Sequence, residues 1–288
     1  MFILDGGLGH ELVKRCGQPA HPLWSVKTML EQPELVRQVH QDFVRAGARG
    51  ITLNTYTATP TRMARDGQPG WLEACHATAI QAAQDAATEG TRVLGCLPPL
   101  VASYRADLAP DRAAAVAEYR ILVGLQAAAV DGFLAETLPT YREASAALEA
   151  ALEVDRPVWV SLVPSETQAG LLRSGEPLRE VAERLVDQGA EAILLNCASP
   201  EAIDASLPSI RGLGVEFGAY GNAFVSVDAL QVGGTVDVLQ ERKDISPAIY
   251  LEYAKRWAEL GANILGGCCG IGVEHIAALS QQWPASKR

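Results

Sequence analysis

Short runs rich in Val, Ile and Leu alternate with longer Ala-, Glu- and Arg-rich segments of helical spacing, and the alternation repeats eight times. The apolar runs are Phe2 to Gly7, Gly50 to Thr57, Thr91 to Leu97, Gly132 to Leu138, Pro157 to Val163, Ala192 to Asn196, Val215 to Tyr220 and Asn263 to Gly267. Helices are predicted at Pro33 to Ala46, Leu72 to Glu89, Asp111 to Val130, Tyr141 to Leu152, Pro177 to Gln188, Pro200 to Ile210, Pro247 to Leu260 and Val273 to Leu279. Near-continuous apolar runs of this kind suit parallel strands buried on both faces. Eight strand-then-helix units in 288 residues predict an α/β fold, a single (β/α)8 or TIM barrel forming one domain over residues 1–288. A doubly wound open sheet is the alternative. It would usually place a GxGxxG turn after its first strand, and Asp5-Gly6-Gly7-Leu8-Gly9 lacks that spacing.

Composition narrows the function classes. A formal net charge of −10 argues against nucleic-acid binding, which needs a basic surface. No apolar run reaches the ~18 residues that span a bilayer, and Met1 to Gly7 lacks the basic start of a signal peptide. Six cysteines in such a chain predict reduced thiols, metal ligands or buried hydrophobes, and a cytoplasmic protein.

In a barrel, residues at the C-terminal ends of the strands converge on one mouth. Here those ends carry Asp5-Gly6-Gly7, Asn54 to Thr57, Cys96, Glu136-Thr137, Ser161, Asn196-Cys197, Tyr220 to Asn222 and Cys268-Cys269. Adjacent cysteines inside Gly266-Gly267-Cys268-Cys269-Gly270 need an irregular backbone to aim both sulfurs at one point. Cys197, two strands away, can meet them. Three thiolates with no fourth protein ligand match an open Zn²⁺ site. A core role for Cys197, or a vicinal Cys268–Cys269 disulfide, remains open at this point. Cys96 is read as a bystander, and Cys16 and Cys75 as helix or loop hydrophobes. Asp5 and Glu136 each end an apolar strand, where a carboxylate is costly unless it meets a cation. With the Gly6 and Gly7 amides beside them, the two carboxylates could hold an amino acid. Asn196 and Asn222 could orient ligands or substrate, or cap turns. The five histidines fall away from strand ends, and Arg62 and Arg65 read as a solvated face in preference to an anion clamp.

Asp5-Gly6-Gly7, Pro22-Leu23-Trp24-Ser25, Val39-His40, Ala46-Gly47-Ala48, Asn54-Thr55-Tyr56, Glu136-Thr137-Leu138-Pro139, Asn196-Cys197 and Gly266-Gly267-Cys268-Cys269 together resemble the homocysteine S-methyltransferase family. The likeness runs from residue 2 to about residue 279, and is strongest to the short bacterial S-methylmethionine-type branch. It implies zinc on Cys197, Cys268 and Cys269. It also implies homocysteine held by the Asp5-Gly6 turn and Glu136; Gly7, Thr137 and Asn222 complete the expected substrate site, and Asp5, Glu136 and Asn196 are expected to serve the reaction. Three positions at the mouth depart from the family pattern: Leu53, Thr57, and Gly95-Cys96-Leu97-Pro98-Pro99 after the third strand.

The expected reaction moves a methyl group from a cationic donor to the zinc-bound thiolate of homocysteine, giving methionine. The donor would be S-methylmethionine, S-adenosylmethionine or a betaine-like compound. Aromatic faces suit such a donor, and Tyr56, Tyr104, Tyr220 and Phe224 are candidates. Two loops, Pro98 to Pro110 and Ala223 to Asp244, are candidates to close the site. Another thiol or selenol acceptor, a corrinoid or folate donor, or a non-enzymatic zinc or redox sensor are the alternatives. The partners expected are a small thiol and a methyl donor, with no nucleic acid and no membrane, and homo-oligomerisation is left open.

Overall fold

The computed structural model describes residues 1–284; residues 285–288, the tail of the expected domain, lie outside the described residues. Eight parallel strands form one sheet in the order β1-β8-β7-β6-β5-β4-β3-β2. They are β1 (Phe2–Ile3), β2 (Gly50–Thr52), β3 (Arg92–Leu97), β4 (Gly132–Leu138), β5 (Val158–Leu162), β6 (Ala192–Asn196), β7 (Glu216–Tyr220) and β8 (Ile264–Leu265). A parallel bridge between Leu4 and Gly50 brings β1 against β2 and closes the ring. The fold is the (β/α)8 barrel that the alternation predicts.

Eleven helices surround the described barrel: α1 (Leu8–Cys16), α2 (Trp24–Glu31), α3 (Pro33–Ala46), α4 (Pro60–Asp66), α5 (Leu72–Ala86), α6 (Arg112–Gln126), α7 (Tyr141–Ala151), α8 (Leu178–Gln188), α9 (Pro200–Ser206), α10 (Pro247–Glu259) and α11 (Val273–Gln282). Start signals are visible where Thr59, Asp111, Thr140, Ser199 and Ser246 side chains accept the N–H three residues on. Left-handed glycines Gly47 and Gly189 stop α3 and α8.

The strands β4 and β6 and the helix α3 have the expected bounds. Several other runs are shorter: Asp5 to Gly7 and Asn54 to Thr57 leave the sheet and become mouth loops, and the last strand covers only Ile264–Leu265. Pro200 to Ile210 breaks into α9 and a 3-10 turn at Leu207–Ile210. Helices α1, α2 and α4 were not expected at all.

Two apolar clusters hold the barrel. The larger lies between strands and helices, around Phe43, Met63, Tyr119, Phe133, Tyr250 and Trp257. The smaller fills the interior with Leu4, Leu94, Leu134, Trp159, Leu194, Tyr220 and Ile264. Tyr220 is its upper member, so the interior core merges directly into the mouth. Among the described residues no helix is long and apolar enough to cross a membrane.

Candidate metal and substrate site

Beyond β8 the chain continues as a thread between the ends of β7 and β1. Gly266 N–H donates to Ala219, Gly267 N–H to Asp5 and Cys268 N–H to Gly221, at 3.3, 3.0 and 2.8 Å. This alternation fixes Cys268 against the end of β7. Gly267 is needed for closeness, because a Cβ there would run into the Ile271 side chain. On the far side of β7, Cys197 follows β6 with φ +52°, and its N–H reaches Tyr220 O at 3.3 Å. The left-handed backbone that aims a sulfur therefore falls on Cys197, and neither Gly266 nor Gly267 has positive φ.

The Sγ atoms of Cys197, Cys268 and Cys269 all lie within 4.8 Å of one another. Four ligands at a Zn–S distance of about 2.3 Å would space the sulfurs by about 3.8 Å, so these three could share a tetrahedral metal once Cys197 and Cys268 are reduced and parted. Cys197 and Cys268 are also in disulfide contact, with Cα atoms 5.8 Å apart. The contact spans β7 instead of joining sequence neighbours, and it involves the same sulfurs that form the possible metal-ligand group. Cys16, Cys75, Cys96 and Cys269 are free.

The mouth opens into a cavity of about 140 Å³, lined in part by Asp5, Glu136, Thr137 and all three of these cysteines. Asp5 is 6% exposed and accepts the Thr52 N–H at 2.9 Å. Burial, only partly offset by that bond and reinforced by the nearby Glu136 charge, pushes the Asp5 carboxyl up to about 8. Glu136 opens onto the cavity. Burial pushes it up to about 7, opposed by the Cys96 thiol, which donates to Oε1 at 3.1 Å. Cys96 is therefore no bystander. Two carboxyls this reluctant to ionise are poised to meet an ammonium group.

Three of the expected residues are hydrogen-bonded within the protein. The Gly7 N–H is spent on Ile271 O at 2.9 Å and cannot receive a substrate carboxylate. Asn196 is fully buried behind the site. Its Oδ1 accepts Thr137 N–H at 3.1 Å and Ser161 Oγ at 2.8 Å, and its Nδ2 donates to Thr137 Oγ1 at 2.8 Å. Asn222 is buried too, its Oδ1 accepting the Phe224 N–H at 3.1 Å. Both asparagines shape the walls instead of lining the cavity.

Tyr56, Tyr104, Tyr220 and Phe224 all line the cavity, joined by Trp24, which meets Tyr56 edge-on with ring centres 6.2 Å apart. Leu53 and Thr57 also line it, and Thr57 Oγ1 donates to Leu23 O at 2.5 Å. Both candidate loops supply wall residues, Ser103 and Tyr104 from one and Phe224, Leu230 and Leu239 from the other. Among the described residues four non-glycines have positive φ: Trp24, Tyr104, Thr137 and Cys197. All four face this cavity, and such strain persists only where surrounding packing enforces it. Arg62, read from sequence as solvated, is 6% exposed and reaches into the cavity.

Fold and mouth together define a barrel enzyme that sets clustered thiols beside two buried carboxyls. A family model, homocysteine S-methyltransferase, matches residues 2–283. A homocysteine S-methyltransferase of Escherichia coli K12 is 31% identical, over 97% of this chain and 94% of its own. The rat S-methylmethionine–homocysteine S-methyltransferase BHMT2 is 29% identical, over 96% and 77%. The crystal structure of the E. coli homocysteine methyltransferase MmuM in its metallated form superposes with a TM-score of 0.82 at 28% identity, covering 98% of this chain and 96% of that one. The chain belongs to the homocysteine S-methyltransferase family, and is an S-methyltransferase enzyme that acts by methyl transfer to homocysteine.

Proposed function

We propose that the protein transfers a methyl group from a cationic donor of the S-methylmethionine, S-adenosylmethionine or betaine type to homocysteine, giving methionine, with zinc as its metal. The cluster of Cys197, Cys268 and Cys269 carries this reading: a soft, all-sulfur donor set suits Zn²⁺ over Mg²⁺ or Ca²⁺. The metallated form of the E. coli relative supports a metal on this fold. When bound, the metal would hold the acceptor sulfur as thiolate at neutral pH, where a free thiol of pKa about 8.5 is mostly protonated.

The chain's own residues do the rest. Glu136 and Asp5 receive the homocysteine ammonium, and ionise as it arrives. Cys96 and the Thr52 N–H fix the directions of these carboxylates. Asn196 holds Thr137 in its left-handed turn and so sets the reach of Glu136. Trp24, Tyr56 and Tyr104 offer π faces to a sulfonium or quaternary ammonium and keep water from it. No side chain need act as a nucleophile.

The test is a donor panel with homocysteine, using reduced, zinc-loaded protein and quantifying methionine. One methionine formed per homocysteine consumed, joined by a second from the donor itself when that donor is S-methylmethionine, supports the reading, and no methionine from any donor sinks it. A cytoplasmic location is proposed on the same basis, since zinc-bound and unpaired cysteines need a reducing compartment.

A further inference from the structure

Arg62 sits in the first turn of α4, where its N–H bonds the Thr59 side chain at 3.2 Å. Its guanidinium turns inward to the cavity. Nη2 donates to Pro99 O at 2.8 Å and lies 3.5 Å from Ser103 Oγ. Nε is buried without a partner. The Tyr56 ring stacks at 5.4 Å, and the Tyr56 hydroxyl bonds Ser103 at 2.9 Å. Among the described residues no carboxylate comes within ion-pair distance of Arg62. Glu143 and Asp66 attract it from further off. Glu143 Oε1 is tied to the Leu100 N–H at 2.9 Å, and Asp66 is bound by Arg65.

Arg65, also on the cavity wall, is the contrast. Its Nε and Nη2 are taken by Asp66 and its Nη1 by Val101 O at 2.7 Å. Of these two wall arginines, Arg62 keeps a buried guanidinium with an unpaired Nε–H. A buried cation without a counter-ion is costly, and a planar fork is suited to a carboxylate. Asp5 and Glu136 repel an anion, and the Gly7 N–H is occupied.

We propose that Arg62 binds the carboxylate of a zwitterionic substrate in this cavity and restricts the enzyme to substrates that carry it. The inference rests on the methyl-transfer reading. Homocysteine and an amino-acid-derived donor share this chemistry, and the experiment separates them.

Wild type, Arg62→Gln and Arg62→Lys are compared with homocysteine and S-methylmethionine. The same assays use their counterparts lacking the carboxylate, 3-aminopropanethiol and (3-aminopropyl)dimethylsulfonium. Arg62→Gln should raise KM for one carboxylate substrate by about tenfold or more, while kcat/KM for its counterpart changes less than about threefold. The substrate whose KM moves is the one Arg62 holds. Arg62→Lys, which keeps the charge but loses the fork, should show a smaller rise of the same specificity, and carries the test if Arg62→Gln does not fold. Equal losses with and without the carboxylate, or unchanged KM for both substrates, overturn the proposal. If wild type turns over no donor, the methyl-transfer reading fails. Calorimetric titration of homocysteine and S-methylmethionine into wild type and variant then decides Arg62 by itself: a carboxylate-specific loss of affinity supports the role, and equal affinities overturn it.

Discussion

Glu136 and Asp5 are the residues whose environment does most to set the protein's behaviour. Both carboxyls are raised, Glu136 to about 7 and Asp5 to about 8, chiefly by burial. Unfolded carboxyls lose their protons near pH 4, while the folded pair holds them, so stability should fall as pH rises from about 4 through 7 to 8 and then level off. Glu136→Gln keeps the acceptor for Cys96 but removes one proton from this linkage. It should gain about 1–3 kcal/mol over wild type at pH 8.5 and nothing at pH 5, read by urea denaturation. The same variant should raise the homocysteine KM about tenfold or more, since a charged hydrogen bond is lost. A variant no more stable at pH 8.5 would show that Glu136 is ionised at no cost in the free protein. The cysteines and carboxylates at this mouth were legible in the sequence, because thiols and acids at the ends of apolar strands have few structural reasons to be there. Arg62 and Cys96 were not. An Arg on an amphipathic-looking turn reads as surface, and a lone Cys reads as core, until the tertiary fold shows what each faces.

At the scale of elements, β4 and β6 are joined above β5 by Asn196. It bonds Thr137 twice, accepting its N–H at Oδ1 and donating from Nδ2 to Oγ1, while also accepting Ser161. Thr137 has φ +62°, a conformation with a cost for a β-branched residue. Asn196→Ala should leave buried donors unpaired and destabilise by about 2–4 kcal/mol. It should also free the turn that aims Glu136, lowering kcat/KM for homocysteine. Asn196→Asp, which keeps the acceptor, should fall between the two in both thermal unfolding and kinetics; an Asp variant as impaired as Ala would argue against the Thr137 turn as the cause. Long periodic elements such as α3, β4 and β6 could be bounded from sequence alone. Helices α1, α2 and α4 could not, because they are seven to nine residues long and lie inside mouth loops. Pro22, Pro60, Gly7 and Gly9 read there as turn signals, and tertiary burial of Leu12, Met29 and Met63 outweighs them. Strand ends were overextended where the chain leaves the sheet to build the site.

For the whole molecule, ring closure and the site depend on the same short strand. The β8 pairing covers two residues on each side, with β1 and with β7, yet its continuation carries two of the three clustered sulfurs. Gly218 on β7 lets β8 approach, since a Cβ there would run into the Ile264 carbonyl. Gly218→Ala should therefore destabilise by about 1–3 kcal/mol, and should displace Cys268 and Cys269 relative to Cys197. A metal held by these residues would tie β6 to β8 across β7, so binding would stabilise the closed barrel by mass action, about 4 kcal/mol at a thousandfold excess over Kd. In reduced protein, zinc should raise the unfolding midpoint of wild type strongly. Cys197→Ser, which leaves β8 intact but removes the ligand beyond β7, should lose most of that rise while its metal-free midpoint stays near that of wild type. Gly218→Ala should start lower and recover part of its deficit on adding zinc, because its three thiols remain. An undiminished zinc-dependent rise in Cys197→Ser would place the metal elsewhere, and the link between closure of the ring and occupation of its mouth would be lost.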